Sequence, residues 1–124
     1  MKTILIVEDN DKNMKLARDV LQAKGYRTLE AVNGTDGVAL ALAHRPDLVL
    51  MDIQLPDING VEAFTHIRAH PETAHIPVVA FTASVTPMDR SRITDAGFQG
   101  FISKPINLKE FLETIRRTLE GAAS

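Results

Sequence analysis

Two kinds of apolar pattern alternate along this chain. Residues 3–7, 47–51 and 76–81 form short runs rich in Val, Ile and Leu, as do strands buried on both faces of a parallel sheet. Between them the period becomes helical. Over 11–24, Met14, Ala17, Val20 and Leu21 share one face, and Gly25 supplies a left-handed stop. A short strand is predicted over 27–31, then a helix over 34–44 with Val38, Ala41 and Leu42 inward. A third helix from about Asn59 carries Val61, Phe64 and Ile67. Thr86-Pro87-Met88-Asp89 combines a capping hydroxyl, a proline at the first helical position and an acid, and so starts a fourth helix that Gly97 ends. Phe101-Ile102-Ser103 reads as the fifth strand. Asn107 opens the last helix, over 108–119, with Leu108, Phe111, Leu112, Ile115 and Leu119 on one face and a frayed tail from Gly121.

Five strands alternating with five helices imply right-handed crossovers and a doubly wound α/β sheet. The expected order is 2-1-3-4-5, flavodoxin-like, with its switch point between strands one and three. At 124 residues the chain fits one domain, and no stretch remains for an effector domain. The absence of cysteine excludes disulfides and thiolate chemistry, and His44, His66, His70 and His75 lack the pairing of a zinc site. A net charge of -2 gives no footprint for nucleic acid, and no apolar run reaches membrane-spanning length. A soluble cytoplasmic protein is expected.

The strand ends change the picture. Glu8 and Asp9 close the first strand, Asp52 the third, Thr82 the fourth and Lys104 the fifth. If the strands are parallel, these groups share one rim, where open α/β sheets bind ligands. Three carboxylates so close must raise the pKa of one acid or recruit a cation. Hard oxygen ligands suit Mg²⁺, with Asp9 and Asp52 in direct contact and Glu8 accepting from a bound water. Asp52, alone at the end of the central strand, is the expected nucleophile toward phosphorus. Lys104 and the metal would each take one phosphoryl oxygen, and the Thr82 hydroxyl with the Ala83 amide the third.

These residues stand in Val7-Glu8-Asp9-Asn10, Leu50-Met51-Asp52-Ile53-Gln54-Leu55-Pro56, Phe81-Thr82-Ala83 and Ser103-Lys104-Pro105. Over its whole length the chain resembles the receiver domain of two-component response regulators. The resemblance implies a phosphoacceptor at Asp52, an acid pair at Glu8 and Asp9, a switch hydroxyl at Thr82, a phosphate contact at Lys104 and a metal-binding carbonyl at Gln54. It also implies an aromatic switch at Phe101, a cis peptide before Pro105, and a phosphohistidine donor on a histidine kinase or phosphotransfer protein. The output would be protein contact through the fourth helix, fifth strand and fifth helix. Gln54 and Ser84 would flank the path of an attacking water. Stretches such as Asn13-Met14-Lys15-Leu16 and Phe111-Leu112-Glu113-Thr114-Ile115 are closer to single-domain regulators of cell division within that family.

Taken one at a time the residues are ambiguous. Glu8 and Asp9 could cap a helix, Asp52 could be a turn residue, Lys104 a solvated charge and Phe101 simply core. A receiver of a hybrid kinase, or one relaying phosphoryl groups, fits the same motifs. A flavodoxin-like electron carrier shares the sheet order, but its phosphate loop would here be the acidic Glu8-Asp9-Asn10-Asp11. Aspartate-nucleophile phosphatases carry a second acid two residues after the nucleophile, where this chain has Gln54.

Overall fold

The computed structural model describes residues 2–83 and 87–123, the side chains at 89, 90, 122 and 123 excepted. Its strands are β1 (Thr3–Val7), β2 (Arg27–Ala31), β3 (Leu48–Asp52), β4 (Val78–Thr82) and β5 (Gly100–Ser103). They form one parallel sheet in the order β2-β1-β3-β4-β5, as expected. The helices are α1 (Asp11–Ala23), α2 (Gly34–His44), α3 (Gly60–Ala69), α4 (Pro87–Ala96) and α5 (Leu108–Ala123). Thr86 and Ser84 lie outside the described residues.

Successive strand residues point to opposite faces, and two cores result. Leu5, Val7, Val49 and Met51 pack with Ala63, Phe64 and Ile67 of α3 and Ile93 of α4. Ile4, Ile6, Leu48 and Leu50 pack on the other face with Met14, Ala17 and Leu21 of α1 and Phe111, Ile115 and Leu119 of α5. All five positions of β3 are buried.

The boundaries depart from expectation in places with physical causes. Val20, Val38, Leu42 and Val61 are only half-buried; in α2 and α3 the smaller Gly37, Gly60 and Ala63 take the closest approach to the sheet, and Gly34 lies against Ile58. Leu108 is 54% exposed, because the first turn of α5 stands clear of the sheet. The α5 helix runs on through Gly121, where the expected tail would begin, to Ala123. Gly25 takes a φ of 87° at the stop after α1, and α2 ends on Arg45 at a φ of 47°. A non-glycine residue in that conformation leaves no mark in sequence.

Four helices start on asparagine. The side chains of Asn10, Asn33, Asn59 and Asn107 accept from the amides of Asn13, Asp36, Glu62 and Glu110 at 3.0, 2.7, 2.9 and 3.1 Å. Each satisfies one first-turn donor that the helix itself cannot. In α2 the two preceding amides go elsewhere. Gly34 N donates to Asp57 Oδ1 at 2.8 Å and Thr35 N to Asp57 Oδ2 at 3.0 Å, and the Thr35 hydroxyl also donates to Oδ2.

The hydroxyl of Thr35, followed by the amides of Ile58, Thr35 and Gly34, holds the Asp57 carboxyl well below its ordinary 3.8. A depressed folded pKa contributes stability that is present above the unfolded value and lost as pH falls through the folded one. Asp57→Asn is therefore expected to flatten the loss of stability between about pH 4 and 2. Urea unfolding at several acidic pH values checks this, and slopes identical to wild type would contradict it.

Candidate active site at the carboxyl ends of the strands

Register sets the site. Val7 lies beside Met51, Asp52 beside Phe81, and Thr82 beside Ser103, so the residues at or just past these positions gather at one end of the sheet. Lys104 N donates to Thr82 O at 2.8 Å and prolongs the β4–β5 ladder by one residue. The peptide between Lys104 and Pro105 is cis.

One carboxylate oxygen each from Glu8, Asp9 and Asp52 lies within 4.8 Å of the others. Their settings differ. Glu8 is fully buried, Asp9 is exposed, and the Asp52 side chain keeps 5% of its surface open. Asp52 Oδ1 accepts from Gln54 N at 2.9 Å, and Oδ2 accepts from Lys104 Nζ at 3.1 Å. Lys104 Nζ also approaches Glu8 Oε1 at 2.5 Å and lies 4.7 Å from the centre of the Phe81 ring. The second Glu8 oxygen accepts from Asn10 N at 3.1 Å.

Crowded acids thus meet both of the expected remedies at once. Burial, then the nearby Asp52 carboxyl, pushes the Glu8 pKa up, while Lys104 and the Asn10 amide pull against it. Burial alone would lower Lys104, but Glu8 and Asp52 outweigh it and the ammonium is held above its ordinary 10.5. Lys104 is the resident counter-ion of the two buried acids. Its Nζ lies within 3.1 Å of both carboxylates.

A divalent cation fits this donor set. Three hard carboxylates converge, one of them open to solvent, and the ammonium of Lys104 offsets only part of their charge; a surplus of carboxylate charge at an open rim is the arrangement a hydrated cation relieves.

Thr82 ends β4 and is buried, and Ala83 beside it is exposed. Gln54 and Thr82 share a cavity of about 560 Å³ with Ile53, Leu55, Asn59 and Arg92. Phe101 is not part of the carboxylate cluster. It pairs with Ala80 in the sheet and packs half-buried against the α3 and α4 side of the core. Two contributors escaped the sequence. Asp57 acts across 22 and 23 residues, with no local motif to announce it. Gly60 allows the α3 turn to close on the nucleophile, since a Cβ there would lie 2.4 Å from Asp52 O and 2.7 Å from Ile53 Cα; its only sign is a glycine just inside a helix start.

Residues 4–116 match the profile of the response regulator receiver domain. The chain is 47% identical over 121 residues to the polar-differentiation response regulator DivK of Brucella anthropi, covering 98% of both chains. Among solved structures, it resembles the receiver domain of a sensor histidine kinase from Pseudomonas aeruginosa, crystallised with a magnesium ion coordinated in the active-site cleft. The TM-score is 0.89 at 32% identity, covering 96% of this chain and 98% of that one. A CheY-like receiver domain from Methanospirillum hungatei aligns with a TM-score of 0.88 at 28% identity, covering 99% of this chain and 97% of that one. Among the described residues no helix is long and apolar enough to cross a membrane.

Proposed function

The chain belongs to the response regulator receiver family, and on that premise we propose that Asp52 accepts a phosphoryl group from a phosphohistidine of a histidine kinase or phosphotransfer protein. A carboxylate oxygen of Asp52 attacks phosphorus, the nitrogen–phosphorus bond breaks, and its electron pair returns to the donor imidazole, which takes up a proton. Transfers of this kind depend mainly on positioning and charge neutralisation. Asp9, Asp52 and the Gln54 carbonyl would hold Mg²⁺, with Glu8 accepting from a water. When bound, the ion supplies positive charge to one phosphoryl oxygen. Lys104 turns from the acids to a second oxygen, and the Thr82 hydroxyl with the Ala83 amide donates to the third.

The acyl phosphate adds about two negative charges and three acceptor oxygens. Thr82 follows the new oxygens, Phe101 moves into the space released, and the α4–β5–α5 surface changes its shape for a downstream protein. Similarity to a polar-differentiation response regulator favours bacterial cell-cycle or division control; the net charge of -2 favours protein contact over nucleic acid as the output, and we place the protein in the cytoplasm. The likeness to a histidine-kinase receiver at 32% identity supports a second reading, as a relay between phosphohistidines.

One observation carries the proposal: Lys104 Nζ, from just past β5, stands 3.1 Å from Asp52 Oδ2 beside two more acids from the end of β1. The test is incubation with acetyl phosphate and Mg²⁺ followed by intact mass measurement. Wild type is expected to gain about 80 Da and Asp52→Asn to gain nothing. An increment retained in the variant would move the acceptor elsewhere.

A further inference from the structure

The loop 53–59 that follows the nucleophile is tied down along its length. At its start, Gln54 N donates to Asp52 Oδ1 at 2.9 Å. At its end, Gly60 N donates to Ile53 O at 2.9 Å, and Asn59 caps α3. In the middle it reaches across to another element. Asp57 takes the amides of Gly34 and Thr35 and the Thr35 hydroxyl. Independently, Ile58 fills the space over Gly34, where a Cβ would come 2.5 Å from Ile58 Cγ1.

These bonds exceed what capping α2 requires. Asn33 already serves the Asp36 amide from within the local chain, and the exposed amide of Thr35 could be solvated by water. What Asp57 adds is a fixed distance between α2 and the loop. Two oxygens bound by three donors of α2, with the Ile58 amide beside them, leave the carboxylate little freedom to rotate. The peptide three residues earlier is that of Gln54, whose amide bonds the nucleophile and whose carbonyl is assigned to the metal in the reading above.

We propose that Asp57 is a positioning residue: by fastening the 53–59 loop to the start of α2 it sets the Gln54 peptide beside Asp52, so that magnesium affinity depends on a carboxylate that touches neither metal nor phosphoryl group. This rests on the phosphoacceptor reading of Asp52. Groups that orient ligands from outside the coordination sphere commonly change metal affinity by about 10- to 100-fold, and the lower figure applies to a tether acting through the two intervening residues Leu55 and Pro56.

The test titrates wild type, Asp57→Ala, Asp57→Asn and Thr35→Ala with magnesium chloride, following the rise in melting temperature and, separately, phosphorylation by acetyl phosphate. Half-saturating magnesium is expected to rise about tenfold in Asp57→Ala and by less in Asp57→Asn, which keeps one acceptor oxygen. Phosphorylation at saturating magnesium should stay near the wild-type rate. A tether that matters only for stability would lower every melting temperature and leave half-saturation unchanged, and that result overturns the proposal. If Asp57→Ala does not fold, unchanged half-saturation in both Asp57→Asn and Thr35→Ala overturns it equally. Wild type that gains no mass would instead refute the reading of Asp52.

Discussion

Replacing Lys104 by methionine is expected to destabilise the metal-free protein by about 3 kcal/mol at neutral pH, and millimolar magnesium to return most of the loss. Lys104 Nζ is the counter-ion of two buried acids, at 2.5 Å from Glu8 and 3.1 Å from Asp52, with its own side chain 14% exposed. Without it, two anions share a nearly dry pocket, which costs several kcal/mol. The protein has a cheaper alternative in protonating Glu8. From an ordinary pKa of 4.5, that costs about 3.4 kcal/mol at pH 7, which sets the ceiling. Since burial has already pushed Glu8 upward, the penalty should shrink on acidification, as a proton becomes easier to supply. Denaturant unfolding of Lys104→Met with and without magnesium measures each part. A variant as stable as wild type without magnesium would show that the lysine is not the charge partner, and a deficit that magnesium leaves in place would remove the metal from this pocket.

Gly60→Ala is expected to cost about 3 kcal/mol and to depress phosphorylation as well. The new methyl group would meet Asp52 O at 2.4 Å and Ile53 Cα at 2.7 Å. Both neighbours are backbone, so no side chain can swing aside, and the strain must move either α3 or the peptide that carries the nucleophile. Gly25→Ala is the natural control. Nothing lies within 4 Å of its Cβ, but its φ of 87° disfavours a side chain, so a loss of about 1 kcal/mol is expected with phosphorylation intact. Equal stability losses in the two variants, or normal acetyl phosphate kinetics in Gly60→Ala, would contradict the account.

Much of this architecture can be read from residue order because buried parallel strands leave continuous apolar runs. The runs at β1, β3 and β4 are buried along nearly their whole length, and the sheet order follows from the alternation with helices. Periodicity fails where a helix overhangs its support: Leu108 keeps the spacing of a core residue yet stands exposed. The strand-end acids, hydroxyl and amine are legible because each follows its own apolar run. Their division of labour is not. Glu8 and Asp9 are neighbours in sequence, but one is sealed in the interior and the other faces solvent. Which of them faces inward depends on the strand's twist and register. The pairing of Lys104 with the acids, and of Asp57 with α2, involves residues far apart in the chain and belongs to the folded geometry alone.

The asparagine-capped helices differ in when their starts can be completed. The caps of α1, α3 and α5 lie within three residues of the amides they serve, so each can form as soon as its own segment is made. For α2, two of the leading amides wait for a carboxylate more than twenty residues downstream. During synthesis, a nascent chain that has emerged only as far as β3 holds an unfinished second helix, and the arrival of the segment bearing the phosphorylation loop closes it. Completion of the α2 start thus waits on the loop that follows the nucleophile.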